Sequence, residues 1–324
     1  MNERVMAEDN KILEIVAGSW LYGTANPETS DKDYVGIFLP NVEYILGFKK
    51  CEEVDFSIKD KDESGKNTKN ALDRKLYEFR HYIKLALQNN PNILEILFAN
   101  KESVIYVNEI GKELLKIKHL FPYRGCKERF LGYAFSQKRK MIIKKDNYFD
   151  LISALDFLGG LDHGKYMAEV VASKCPPFIK TSHDEAQNCK FVCVGDINIL
   201  PSKTVGSAMR MIQDRVDKAG NREELLLKYG FDTKFASHLI RLMVEGVDLL
   251  KNGHLEFPLK EAKMILDIKT GKWTISEILN YSNELEKEIE SLAETSKLPA
   301  KPNTEILEKF TVDTLREWLM RESI

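Results

Sequence analysis

The sequence predicts an α+β protein, with a small mixed β-sheet and flanking helices near the N-terminus followed by a mainly α-helical region. Three observations carry that prediction. Short extended runs bounded by Gly, Pro, Asn and Ser crowd the first hundred residues. Beyond about residue 105 apolar residues recur at helical spacing. A chain of 324 residues with 43% hydrophobic content can bury a sizeable core and favours two domains over one. The boundary is placed at 104, giving domains 1–104 and 105–324.

Residues 11–22, KILEIVAGSWLY, begin with helix-like spacing and run into Gly18-Ser19, after which Gly23, Asn26, Pro27 and Ser30 mark a loop. A strand is expected at Asp33 to Leu39. Extended segments at 52–58 and 72–79 flank the polar run DKDESGKNTKN, which reads as a long hairpin loop. From Phe79 the pattern turns helical, stops at Asn89-Asn90-Pro91 and restarts as ILEILF, with Asn90 as cap and Pro91 at the first helical position. Amphipathic helices fill most of the remainder. They are broken at 172–204, where FVCVGDINIL reads as a strand or hairpin, and at PAKPN (299–303), before a final helix.

Composition narrows the function classes. Five cysteines without a regular framework point away from a disulfide-stapled secreted domain and towards a reducing, cytoplasmic setting. No run approaches the ~18 apolar residues of a membrane span. Net charge is −2, so a polyanionic partner must meet a local basic patch.

The informative segment is Gly18-Ser19, eleven residues, then Asp31-Lys32-Asp33. Side chains two apart on a strand share a face, so Asp31 and Asp33 can converge on one point and bind Mg²⁺ or Mn²⁺ through oxygen. Gly18 lets backbone approach a phosphate, and the Ser19 hydroxyl can donate to it. A further carboxylate is available in LDRKLYEF, where Asp73 and Glu78 face opposite ways on a regular strand.

GSWLYGTANPETSDKDYVG resembles the Gly-Ser-x-x-Tyr-Gly…Ser-Asp-x-Asp signature of DNA polymerase beta superfamily nucleotidyltransferases, and most closely the RNA-ligase-associated (YcgL-like) group. The resemblance continues in YEFRHYIKLALQNNPNILEILF, LGYAFSQKRKM and YGFDTKFASHLIRL, so it spans most of the chain. It implies a nucleotidyltransferase sheet domain that moves a nucleoside monophosphate from an NTP to an acceptor with pyrophosphate release. Asp31, Asp33 and Asp73 would be the catalytic and metal-binding residues, for it favours Asp73 over Glu78 as the third acid. Two-metal catalysis would follow. Lys32 departs from the pattern, which usually has an apolar or aromatic residue there.

Lys234, His238 and Arg241 are spaced four and three apart, on one helical face suited to nucleotide phosphates, although Glu245 also permits an ordinary ion-paired surface. Residues 112–146 carry eleven Lys or Arg against Glu113, Glu128 and Asp146, a local balance of +8, interleaved with Phe121, Tyr123, Phe130, Tyr133 and Phe135. That patch fits either an RNA backbone with stacking aromatics or a solvated helix face whose aromatics point inward. His183, Cys189 and Cys193 lack the fourth ligand and paired spacing of a zinc site. Addition of nucleotides to an RNA or other nucleic-acid end is the first expectation. Nucleotidylation of a protein or small molecule is the second, and a binding module without activity the third.

Overall fold

The structure is a computed structural model that describes residues 2–28, 30–60, 71–173, 175–185, 188–217, 226 and 228–322. The chain divides into two compact units: Met1–Phe135 with Ser237–Ile324, and Ser136–Ala236. Residue 104, the boundary taken from sequence, falls inside the first unit at the start of a strand.

The first unit is built on a mixed five-stranded sheet. After helix α1 (Glu3–Asp9) come β1 (Lys11–Ala17), the short helix α2 (Gly18–Tyr22), β2 (Asp33–Phe38), α3 (Val42–Ile45), β3 (Glu53–Asp55) and β4 (Asp73–Glu78). Then follow α4 (Phe79–Leu87), α5 (Pro91–Phe98), β5 (Val104–Val107) and α6 (Glu109–Lys116). The strand order is β3-β4-β2-β1-β5. β2 and β4 run parallel, and the other neighbouring pairs are antiparallel.

The helix-like start expected at residues 11–17 is instead β1, an interior strand between β2 and β5. Ile12, Leu13, Glu14 and Ile15 are buried in succession, as befits a strand covered on both faces, and such a run carries no period to separate it from a helix. The expected strand at 33–39 and the extended segments at 52–58 and 72–79 appear as β2, β3 and β4, and β3 pairs antiparallel with β4. The loop expected at DKDESGKNTKN lies, apart from Asp60, outside the described residues. Asn90 and Pro91 begin α5 as expected, but the Asn90 side chain makes no capping bond and donates to the Tyr133 hydroxyl at 2.9 Å.

Helix α7 (Cys126–Gly159) is followed by α8 (Met167–Ala172), the antiparallel strands β6 (Ile179–Asp184), β7 (Cys189–Val194) and β8 (Ile197–Ile199), and α9 (Val205–Asp217). FVCVGDINIL is thus the β7–β8 hairpin. In the second unit Leu158, Val192, Val194, Ile199, Ala208 and Ile212 form a buried core. Helix α10 (Thr233–Asn252) leads back into the first unit, which ends with α11 (Ala262–Lys269), α12 (Ile275–Thr295) and α13 (Thr304–Glu322). The indole of Trp318 on α13 donates to the Pro40 carbonyl at 3.0 Å, fixing the last helix beside the end of β2. No helix among the described residues is long and apolar enough to cross a membrane.

Candidate active site

β1 ends at Ala17, whose register partner on β2 is Asp33. The chain then turns at Gly18, which has φ +64°, a conformation that suits glycine. A second constraint acts at the same residue, because a Cβ on Gly18 would collide with Asp33 Oδ2. The backbone of the Gly-Ser turn and the Asp33 carboxylate therefore occupy one small volume. Ser19 follows, half-buried, at the start of α2.

The loop between α2 and β2 is tied to its own start. Thr24 N donates to Ser19 O at 2.9 Å, Trp20 Nε1 to Ser30 O at 3.3 Å, and Ser30 Oγ accepts from Asn26 N at 2.9 Å. Ser30 in the sequence motif thus shapes the loop that delivers the acidic residues. Lys32 lies with its ammonium 4.9 Å from the centre of the Trp20 ring, a cation–π contact that accounts for a lysine at a position usually apolar or aromatic. β2 begins at Asp33, so the exposed Asp31 precedes the strand and does not share its regular pleat.

Asp73 is the direct register partner of Asp33 across the parallel β2–β4 pair. Its Oδ1 accepts from Ser57 Oγ at 3.2 Å, and the same Ser57 oxygen accepts from Arg74 N. Arg74 reaches across the sheet to the buried Glu14, with Nε to Oε1 at 2.5 Å and Nη2 to Oε2 at 3.2 Å, and its guanidinium lies 4.6 Å from the centre of the Phe56 ring. Lys11 Nζ joins Glu14 at 2.6 Å. Hydrogen bonds to Glu14, the largest cause, hold Arg74 above its ordinary pKa, so the lock next to Asp73 stays charged.

Glu78 stands at the other end of β4, paired in register with Phe38. Five residues at about 3.3 Å each put it roughly 16 Å along the strand from Asp73. It is buried, caps α4 by accepting from His81 N at 2.9 Å, and pairs with Arg80 Nε at 2.8 Å. Among the described residues no group of three or more His, Cys, Asp or Glu is gathered closely enough to hold a metal ion. What the fold brings together is the pair Asp33 and Asp73, whose oxygens are the donor type that Mg²⁺ and Mn²⁺ accept, beside a glycine position that a side chain would fill.

The helical face at Lys234, His238 and Arg241 lies on α10, where Lys234 is exposed, His238 half-buried and Arg241 only 4% exposed. Sequence assigned Arg241 to nucleotide phosphates, but its guanidinium is directed inward. It contacts Glu95, reaches Glu245 Oε1 at 2.9 Å, and sits 4.4 Å from the centre of the Tyr22 ring. Tyr22 in turn donates its hydroxyl to Glu95 Oε2 at 2.7 Å. Burial raises the Tyr22 phenol well above its usual pKa. Burial, only partly opposed by Arg241, also pushes the Glu245 carboxyl up to about 8. Two carboxyl groups thus share one guanidinium in a buried site that joins α5 and α10 to the end of α2. Tyr22 is the tyrosine of the Gly-Ser-x-x-Tyr-Gly motif, but its partners were not read from sequence, and Glu95 escaped that reading although it is the lone charged residue in the apolar run PNILEILF.

The basic stretch 112–146 is mixed in character. Lys112, Lys116 and Lys127 pair with neighbouring glutamates, and Phe121 and Phe130 are fully buried. Arg139, Lys140 and Phe135 are exposed on α7. Cys193 hydrogen-bonds Ser182 and Asn198, and His183 pairs in register with Lys190.

The mixed sheet carries a left-handed glycine packed on the aspartate that opens β2, with a second aspartate in register on the next strand, and the family match over this region makes the chain a protein of the DNA polymerase beta superfamily. Residues 3–168 match RlaP, the RNA repair pathway DNA polymerase beta family, and the chain belongs to that family. It is also similar to an uncharacterized 38.9 kDa protein in the nrdC-mobD intergenic region of Enterobacteria phage T4, 25% identical over 301 residues that cover 86% of this chain and 88% of the relative. No solved structure matches the chain.

Proposed function

We propose that the protein transfers a nucleoside monophosphate from an NTP to an RNA end, using the site formed by Gly18, Ser19, Asp31, Asp33 and Asp73. The observation that carries this reading is the register pairing of Asp33 with Asp73 beside a glycine that Asp33 leaves no room to replace. Asp33 and Asp73, with Asp31 from the preceding loop, are the residues that would hold Mg²⁺ or Mn²⁺. When bound, the metal supplies neutralisation of triphosphate charge and a lowered pKa for the attacking hydroxyl. Gly18 admits a phosphate oxygen close to the main chain, and Ser19 donates a hydrogen bond to it. Asp73, oriented by Ser57, takes the proton from the attacking hydroxyl. His238 on α10 offers a ring nitrogen to hydrogen-bond the nucleotide phosphates, while Arg241 keeps α2 in place through Tyr22.

RNA is favoured as acceptor by the family's repair setting and by the exposed Arg139 and Lys140 on α7. The test is incubation with each α-labelled NTP and Mg²⁺ or Mn²⁺ in the presence of RNA, DNA and protein acceptors. Label on RNA with pyrophosphate release is expected. Label on protein or a small molecule alone would replace RNA as the acceptor, and no label anywhere would remove the transferase reading.

A further inference from the structure

A pocket of about 410 Å³ opens at the far end of β4 from Asp73, where the turn after α3 faces the first turns of α4. Phe48, Lys49 and Lys50 line it from the turn, and Arg80, His81 and Lys84 from the helix. Two features set it apart from an ordinary charged surface. Phe48 is fully exposed, at 105% of its reference area, with Leu46 two residues earlier at 73%, so an aromatic ring is held in water beside a run of lysines. The cations also outnumber the acids free to answer them. Of the two acids that line the pocket, Glu78 is already matched by Arg80 and by His81 N, which leaves Glu52, 3.9 Å from the His81 ring, while Glu3 outside the lining accepts from the Tyr44 hydroxyl. Among the described residues neither Lys50 nor Lys84 has an ion-pair partner.

The local geometry holds this arrangement in place. A side chain on Gly47 would collide with the Glu43 carbonyl, so the turn closes tightly on α3 and Phe48 is carried outward. Arg80 Nη2 donates to the Tyr44 carbonyl at 2.8 Å, tying the floor of the pocket to α3, from which that turn leaves. Lys49 lies with its ammonium 5.5 Å from the centre of the Tyr44 ring. A flat apolar ring flanked by solvated ammonium groups matches one polymer chemistry especially well: bases that stack and phosphates that attract cations.

We propose that this pocket binds single-stranded polynucleotide, with a base stacked on Phe48 and backbone phosphates on Lys49, Lys50 and Lys84. The site is separate from the Asp33–Asp73 pair and deepens the reading of RNA as acceptor, on which it rests for its biological sense. Roughly 16 Å of β4 separates its Glu78 rim from Asp73, so a strand anchored here has several nucleotides in which to reach the acidic end of the sheet.

The experiment is fluorescence anisotropy of a short labelled single-stranded RNA with the full chain, in EDTA without NTP, across a series of salt concentrations. Replacing Lys49, Lys50 and Lys84 together by Ala should reduce the slope of log affinity against log salt by about 2, since each phosphate contact on a single strand contributes about 0.7. Phe48→Ala should weaken binding about tenfold with the slope unchanged, and Phe48→Tyr should restore it. Single-stranded DNA of the same sequence should behave alike, because stacking and phosphate charge are common to both. Unchanged melting temperatures are expected, as these side chains are exposed. Wild-type affinity and slope in both variants would overturn the proposal, as would a preference for an acidic peptide over RNA. Asp33→Ala should bind RNA normally, so transfer lost there with RNA binding unaltered in the pocket variants would refute the pocket and leave the transferase standing. Pocket-dependent RNA binding without nucleotide transfer by the wild type would do the reverse.

Discussion

Gly18→Ala is the most discriminating single perturbation, because it adds one methyl group at the point where the turn meets Asp33. Two costs separate cleanly. Holding alanine at φ +64° costs about 1–2 kcal/mol, offset by about 0.4–1 kcal/mol from the stiffer unfolded chain, so the net backbone penalty is about 1 kcal/mol. The new Cβ also collides with Asp33 Oδ2, and relief requires the carboxylate to move by about an ångström. A displacement of that size at a reacting centre costs about 100-fold in rate. Gly23→Ala supplies the control: it too has a left-handed backbone, φ +76°, but its Cβ would meet Pro258 at 2.8 Å and no carboxylate. Urea denaturation gives the stability of each variant, and single-turnover transfer from α-labelled NTP gives its rate. Both should lose stability by about 1–2 kcal/mol, and Gly18→Ala alone should lose transfer about 100-fold. Equal transfer rates in the two variants would refute the placement of Asp33 at the reacting centre.

Three further outcomes are expected. Asp73→Asn should abolish transfer with little change in melting temperature, whereas Glu78→Gln should lower the melting temperature through the lost Arg80 pair and α4 cap and leave residual transfer; the reverse pattern would exchange their roles. Glu245 has a folded pKa raised to about 8 from 4.5, so the folded state holds its proton more tightly and stability from this group is lost as pH rises from about 4.5 through 8. Glu245→Gln should flatten the fall in melting temperature over that window, by at most about 1.4 kcal/mol per pH unit, and parallel profiles for the two proteins would contradict a protonated Glu245. Arg74→Ala removes the main partner of buried Glu14 while leaving Lys11; a loss of about 2–3 kcal/mol in urea denaturation is expected, and a loss below about 0.5 kcal/mol would show that the cross-sheet pair contributes little.

Local signals that announce themselves in one segment were legible in the sequence. The strand opening at Asp33, the Asn90-Pro91 helix start and the β7–β8 hairpin each rest on residue types whose backbone preferences are strong. Features decided by distant partners were not. KILEIVA reads as helix-like and folds as a strand, since apolar residues on consecutive positions erase the period that separates strand from helix. Arg241 has the spacing of a solvent-facing cation, and only the arrival of Glu95 from another helix 146 residues earlier turns it inward. The parallel pairing that sets Asp73 beside Asp33 likewise spans forty residues, and no spacing rule within either strand specifies it. Lys32 is explained by Trp20, a contact across a loop that sequence alone leaves unpaired.

The central claim is that Asp33, held against the Gly18 turn, works with Asp73 in nucleotide transfer to RNA. The most direct measurement is pyrophosphate release and RNA labelling from α-labelled NTP by the wild type and Asp33→Ala side by side, with Mg²⁺ and with Mn²⁺. The account predicts labelled RNA and stoichiometric pyrophosphate from the wild type and neither from Asp33→Ala, while both proteins melt at closely similar temperatures. Equal labelling by Asp33→Ala would contradict it.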